Sequence, residues 1–202
     1  MDPLIRKAID KITQTWELQQ MMMQEDAEFV SDDDKVLPLG EETARFVYEL
    51  ALQHGCKNFL EIGTSHGYST LFLADIAKKN NGHVTTIEKR ESKIGFAQTH
   101  FEESHTSDHI TILKGDARSI LPTLEGPFDF VLLDARKDQY IDYFKLIFSR
   151  LASGAIICAD NMDSPAFALT YAKEYQKFVR THPGCKTTTH HIGQGIEVTI
   201  KN

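Results

Sequence analysis

From residue 57 onward the chain alternates short apolar runs with helical or polar segments, and that alternation constrains the fold more than any other feature. The five runs, at Asn58–Ile62, 83–87, 109–113, Phe128–Leu133 and 155–159, are each followed by such a segment. Strands buried on both faces read as continuous apolar runs, so the pattern predicts an α/β fold with a parallel sheet covered by helices on both faces. The clearest helix follows the fourth run, with Tyr140, Phe144, Ile147, Phe148 and Leu151 at helical spacing. Another spans 165–180, with Phe167, Tyr171, Tyr175 and Phe178 as its apolar line. Then the alternation stops. Residues 186–192 and Ile196–Lys201 are strand-like, and Gly193-Gln194-Gly195 between them signals an antiparallel hairpin closing the sheet.

Before residue 57 the chain reads as helical. Ile5, Ile9, Ile12 and Trp16 recur at steps of four, three and four, which puts them on one helix face. Met21-Met22-Met23 follows and reads as core or dimer packing rather than an adaptable binding surface. Ser31-Asp32-Asp33-Asp34 is a polar break of the kind found in solvated loops and helix caps. A second helix is expected over 41–54, with Phe46, Val47, Leu50 and Ala51 as its apolar face and Gly55 as its stop.

A chain of 202 residues can bury one sizeable core without needing a second domain. The expected unit is therefore a single domain over 1–202, with 1–35 as an N-terminal helical extension. A net charge of -7 argues against nucleic acid as the main partner, because non-specific affinity there comes from lysine and arginine neutralising phosphates. Three cysteines, Cys56, Cys158 and Cys185, fit neither a disulfide framework nor a zinc site, so reduced, cytoplasmic thiols are expected. No secretion signal is visible in residues 1–20, and no apolar run approaches the ~20 residues that span a bilayer.

Ligands of open α/β sheets bind outside the carboxyl ends of the strands, so candidate site residues are those ending each run. The first run leads into Glu61-Ile62-Gly63-Thr64-Ser65-His66-Gly67-Tyr68-Ser69-Thr70, a strand, tight turn and helix. Its glycines let a ligand approach the backbone, and the helix that follows offers unpaired N–H groups. The third glycine of the dinucleotide fingerprint is missing. The second run ends at Glu88, placed to accept ribose hydroxyls. The third ends in Gly115-Asp116-Ala117, the fourth in Asp134-Ala135-Arg136-Lys137-Asp138, and the fifth in Asp160-Asn161. Asp134, Asp160 and Asn161 would bring three hard oxygen ligands together, which suits Mg²⁺ or another hard divalent cation. Without a cation the two carboxylates repel, and Lys137 is then their partner. His190 and His191 alternate faces on a strand and cannot ligate one ion together, so they read as surface or packing residues.

Taken in order, the segment from Glu61 to Thr70, Glu88, Gly115-Asp116-Ala117, the run from Phe128 to Tyr140 and Ala159-Asp160-Asn161-Met162 resemble the cation-dependent class I O-methyltransferases. That group includes the caffeoyl-CoA and catechol O-methyltransferases and their small bacterial relatives. The match runs from about Val36 to the C-terminus. The resemblance implies a Rossmann-like seven-stranded sheet in the order 3-2-1-4-5-7-6 that binds S-adenosylmethionine, usually as a homodimer. It places Gly63 and Gly67 beside the methionine part of the cofactor, with Glu61 and Tyr68 in the same turn and Ser69 on the carboxylate. Glu88 then falls on the ribose, Asp116 and Ala117 on the adenine, and Leu37 over the cofactor. It puts Asp134, Asp160 and Asn161 on the metal, Asp134 also bordering the cofactor, and Lys137 in the position of general base.

Two departures bear on the acceptor. Ala135-Arg136 stands where the plant enzymes carry a second acid after the alanine, and Gln194 stands where many relatives carry an aspartate. No carboxylate lies between Glu174 and Glu197. The first reading is thus methyl transfer to a small vicinal dihydroxy-aromatic. The second is methylation of a hydroxylated tRNA uridine, and a third, from another class, is an NAD-type nucleotide-binding protein. No membrane partner is expected.

Overall fold

The computed structural model describes residues 1–24, 31 and 34–202; Asp32 and Asp33 of the polar break lie outside the described residues. Seven strands form one sheet: β1 (Asn58–Ile62), β2 (His83–Glu88), β3 (Ile110–Lys114), β4 (Phe128–Leu133), β5 (Leu151–Asp160), β6 (Cys185–His190) and β7 (Ile196–Lys201). Their order is β3-β2-β1-β4-β5-β7-β6. Pairing is parallel from β3 through β5, and β7 lies antiparallel between β5 and β6. The strand order reverses at β1 and β4, which places the binding crevice above their carboxyl ends.

Each central strand sends alternate side chains to opposite faces, as a two-residue period requires. Phe59, Phe130, Leu132 and Cys158 enter one apolar layer with α1 (Pro3–Gln24), α2 (Glu41–Gln53), α3 (Tyr68–Asn80) and α4 (Glu91–Glu103). Leu60, Ile62, Val131, Leu133 and Ile157 enter the other, under α5 (Ala117–Ile120), α6 (Tyr140–Ile147) and α7 (Leu169–Thr181).

The N-terminal helix is part of the first layer. Ile5, Ile9 and Ile12 are almost fully buried, and Trp16 packs at the edge of the same cluster. A polar staple fixes its start. The buried Asp75 of α3 accepts from Tyr48 Oη at 2.7 Å, Lys79 Nζ at 2.6 Å and the Asp2 backbone N–H at 2.8 Å. Burial alone would push the Asp75 carboxyl up, yet the Lys79 and Tyr48 hydrogen bonds hold it below its usual range. At the other end, Gln19 donates to the carbonyl of Asp34 and accepts from the N–H of Val36, tying α1 to the segment that carries Leu37. Of the described residues in the polar break, Asp34 N donates to Ser31 O at 2.9 Å.

Four details differ from the sequence pattern. The helix expected to reach Leu151 stops at Ile147, and Leu151 instead opens β5. Phe128 pairs with Leu151 but Phe130 with Ile156, so residues 152–154 bulge out of the ladder and lengthen the strand. In α7 the buried line is Ala172, Tyr175 and Val179, continuing Ala168 of the turn before it, whereas Phe167 of that turn is 78% and Tyr171 43% exposed. The small alanines let the helix close onto the sheet and turn the larger rings outward. The methionines are not core either: Met21, Met22 and Met23 are all exposed. Finally, α2 buries Val47 and Ala51 fully, but Phe46 and Leu50 only in part.

Truncating Ile12 removes buried methyl groups from a tightly filled layer, so Ile12→Ala should destabilise the protein by about 2–5 kcal/mol in urea unfolding. An unchanged midpoint would mean that α1 lies outside the cooperative unit.

Candidate active site

Gly63 ends β1 where that strand meets the end of β4. At φ +107° it adopts a conformation that side chains rarely tolerate, and an added Cβ would lie 2.2 Å from the carbonyl oxygen of Asp134. At Gly67, the N-cap of α3, a Cβ would strike the ring of Phe101 at 2.6 Å. The missing side chains therefore make room first for protein atoms. They bring the β1 turn against β4, and with it the first N–H groups of α3, those of Tyr68 and Ser69, which have no intrahelical acceptor. Tyr68 itself turns its ring into the layer under α1, 5.4 Å from Phe72.

Below this turn lies Glu61, fully buried. Its Oε2 accepts from Thr70 Oγ1 at 2.5 Å and Thr86 Oγ1 at 2.6 Å, while Thr64 hydrogen-bonds to Thr86 at 2.6 Å. Its Oε1 is buried with no protein partner. Burial raises the Glu61 carboxyl to about 7, against the lowering effect of the Ser69, Thr70 and Thr86 hydroxyls. A buried carboxylate with one free oxygen is costly unless a donor, ideally a cation, reaches it. An α-ammonium group meets that need.

The rim continues around the crevice. Glu88 ends β2; its Oε2 accepts from Ser65 N at 2.8 Å and its Oε1 from Lys89 N at 2.8 Å and Arg90 N at 2.9 Å. These bonds tie β2 to the β1 turn and leave acceptor capacity for hydroxyls, since a carboxylate offers about four lone-pair sites. Asp116 caps α5 by accepting from Arg118 N at 3.0 Å, and Ala117 is buried behind it. Leu37 stands 62% exposed on the N-terminal side.

On the other side of Gly63, Asp134 and Asp160 follow the paired residues Leu133 and Ala159. Their backbones are thus neighbours across a strand spacing of about 4.8 Å. Asp134 Oδ1 accepts from Lys137 Nζ at 2.8 Å. Asp160 is 3% exposed, and its Oδ1 has no protein partner. Burial, reinforced by the negative charge of Asp134 and partly offset by Lys137, pushes Asp160 up to about 8. Asn161 leaves the strand at φ +67° and is 7% exposed. Its Nδ2 donates to Gln194 Oε1. Among the described residues no group of three or more His, Cys, Asp or Glu side chains converges. Asp134 and Asp160 close adjacent strands and Asn161 follows Asp160, and two carboxylates with an amide are a donor chemistry that fits a hard divalent cation.

Several neighbours of the site carry no local sequence signal. Gln194 reaches Asn161 from the hairpin, and Thr86 of β2 donates to Glu61 while bonded to Thr64 in the turn after β1. His191, 77% exposed, pairs with Asp163 at 2.7 Å, whereas His190 packs 4.8 Å from the ring of Phe46, so the two histidines share no partner. The late acid Glu197 is turned away from the rim. It is fully buried and accepts from Thr187, Thr189 and Gln176.

This sheet order, with β7 inserted antiparallel and an acidic crevice over β1 and β4, defines a Rossmann-like methyltransferase fold. The family model described as O-methyltransferase matches residues 10–182, and the chain belongs to that family. It is 35% identical over 122 residues to a catechol O-methyltransferase of Niastella koreensis, covering 58% of this chain and 55% of the relative. It is 31% identical over 156 residues to a catechol O-methyltransferase of Mycobacterium tuberculosis, covering 71% and 69%. The chain thus spans about half the length of the first of these curated relatives. Among solved structures, cofactor-bound Rv0187 from MTB superposes with a TM-score of 0.77 and 26% identity, covering all of this chain and 90% of that one. Membership in this family sets aside the NAD-type reading.

The buried carboxyl of Glu61 gives a pH test. Its folded value of about 7 lies above the ordinary 4.5, so its contribution to stability is full below 4.5 and is lost as pH rises through 7. Without cofactor, the wild type should therefore lose up to roughly 3 kcal/mol between pH 4 and 8 relative to Glu61→Gln. Urea unfolding of both proteins across that range checks it, and parallel profiles would refute the assignment.

Proposed function

We propose that the protein is an S-adenosylmethionine-dependent O-methyltransferase that requires Mg²⁺ or another hard divalent cation and methylates a hydroxyl of a small vicinal dihydroxy-aromatic. One observation carries the reading: two buried carboxylate oxygens without protein partners, Glu61 Oε1 and Asp160 Oδ1, lie on either side of the Gly63 turn. One asks for an ammonium group and the other for a metal ion.

The cofactor supplies an electrophilic methyl on a sulfonium. Glu61, the N–H groups that open α3 and Ser69 would hold its amino-acid end, Glu88 its ribose, and Asp116 with Ala117 its adenine, under Leu37. A divalent cation at Asp134, Asp160 and Asn161 would lower the pKa of a phenol, near ~10 in water, and fix the oxygen for in-line attack. Lys137 Nζ, beside Asp134, would in its neutral amine form take the proton from that hydroxyl, a form that nearby positive charge favours. The exposed rings of Phe167 and Tyr171, on the segment leaving Asn161, offer an aromatic acceptor a surface to lie against.

The exposed Leu18, Met21 and Met22, at i, i+3 and i+4 on α1, provide a second copy with an apolar face, in keeping with a homodimer. No helix among the described residues is long and apolar enough to cross a membrane. All three cysteines are free, in keeping with a cytoplasmic location.

A chelator should abolish methyl transfer and added Mg²⁺ restore it, and Asp160→Ala should lose activity while still binding cofactor in calorimetry. Full rate in the chelated enzyme would remove the cation from the reading. Lys137→Ala should lower turnover by about 10²-fold or more with little change in cofactor affinity, and unchanged turnover would exclude it as base. Labelled cofactor offered with candidate catechols and with hydroxylated tRNA identifies the acceptor. Transfer to the tRNA alone would overturn the small-molecule assignment.

A further inference from the structure

The tip of the β6–β7 hairpin is interlocked with the loop that leaves β5. Met162 N donates to Gly195 O at 3.0 Å, and Asp163 N and Ser164 N donate to Gln194 O at 2.8 and 3.2 Å. His191 adds its contact to Asp163 at 2.7 Å. The backbone of Gln194 is therefore held at a fixed offset from Asn161, which it follows by 33 residues.

The Asn161 side chain has two ends of nearly equal shape and opposite polarity. An NH₂ group directed at Asp134 and Asp160 would satisfy the carboxylates but exclude a cation, whereas Oδ1 directed there completes an oxygen set. Which end faces inward depends on what receives the other. Asn161 is buried, and Gln194 Oε1 accepts from its Nδ2.

We propose that Gln194 is a positioning residue: by accepting the Asn161 NH₂ it turns Asn161 Oδ1 toward Asp134 and Asp160 and so sets the affinity of that group for a divalent cation. The proposal rests on the cation reading of the site. Gln194 does not itself reach the ion. It acts on ligand orientation, as groups behind metal ligands commonly do.

The test is Mn²⁺ binding to cofactor-free protein, read from the free-ion EPR signal, with cofactor affinity measured in parallel by calorimetry. Gln194→Met keeps the length and removes the acceptor; it should weaken Mn²⁺ binding by about tenfold or more and leave cofactor affinity within about twofold. Gln194→Glu keeps an acceptor and should bind Mn²⁺ at least as tightly as the wild type. Asn161→Ala should weaken binding at least as much as Gln194→Met, and the double variant should be no weaker than Asn161→Ala alone, because Gln194 acts through that side chain. Wild-type affinity in Gln194→Met, or losses that add in the double variant, would overturn the positioning role. If the wild type itself gives no saturable Mn²⁺ binding, the cation reading falls and takes this proposal with it.

Discussion

The contact between the Gly63 turn and the carbonyl of Asp134 governs the crevice. Any side chain at Gly63 would collide with that carbonyl, so the ends of β1 and β4 approach as closely as two backbones can. Everything functional is placed relative to this point. Glu61 and the start of α3 lie on one side of it, and Asp134, Asp160 and Asn161 on the other. Two buried acidic clusters, one around Glu61 and one around Asp134 and Asp160, thus become neighbours across a single turn.

The same closeness has an electrostatic cost, and the surrounding polar groups limit it. Three hydroxyls converge on Glu61 from α3 and β2, and Lys137 neutralises Asp134. They do not finish the task, because Glu61 Oε1 and Asp160 Oδ1 remain without donors. Burial of ionisable groups is expensive, so a protein that leaves two such oxygens bare keeps them for something other than its own stability.

Much of this was legible in the sequence, for a definite reason. A parallel sheet covered on both faces must be written in continuous apolar runs, and the residues ending those runs must gather at one rim. Hence the parallel sheet and its rim residues Glu88, Asp116, Asp134 and Asp160 could be located from the chain, whereas the strand order came only with the resemblance to the O-methyltransferases. Packing that depends on size was not legible. At the start of α7 and in the turn before it the eye follows Phe167 and Tyr171, but Ala168 and Ala172 are the residues buried, because a close approach to the sheet favours small side chains over greasy ones. Leu151 reads as the end of a helix because a bulge has no pattern of its own. The methionines of α1 read as core or dimer packing, and only the exposure of all three sets the core half aside, because apolar content does not reveal which face of a helix meets a neighbour. The pairing of Gln194 with Asn161 joins two loops that only the folded sheet brings together.

The backbone of Asn161 has a bearing on how such a site can change over generations. Its left-handed conformation, φ +67°, is one that asparagine, aspartate and glycine enter readily and most other residues do not. Longer oxygen-bearing side chains such as glutamate or glutamine are thus disfavoured by the main chain alone. Drift at this position is channelled toward aspartate, which adds a charge, or glycine, which deletes the polar side chain, so finer adjustment has to come from the residues behind it.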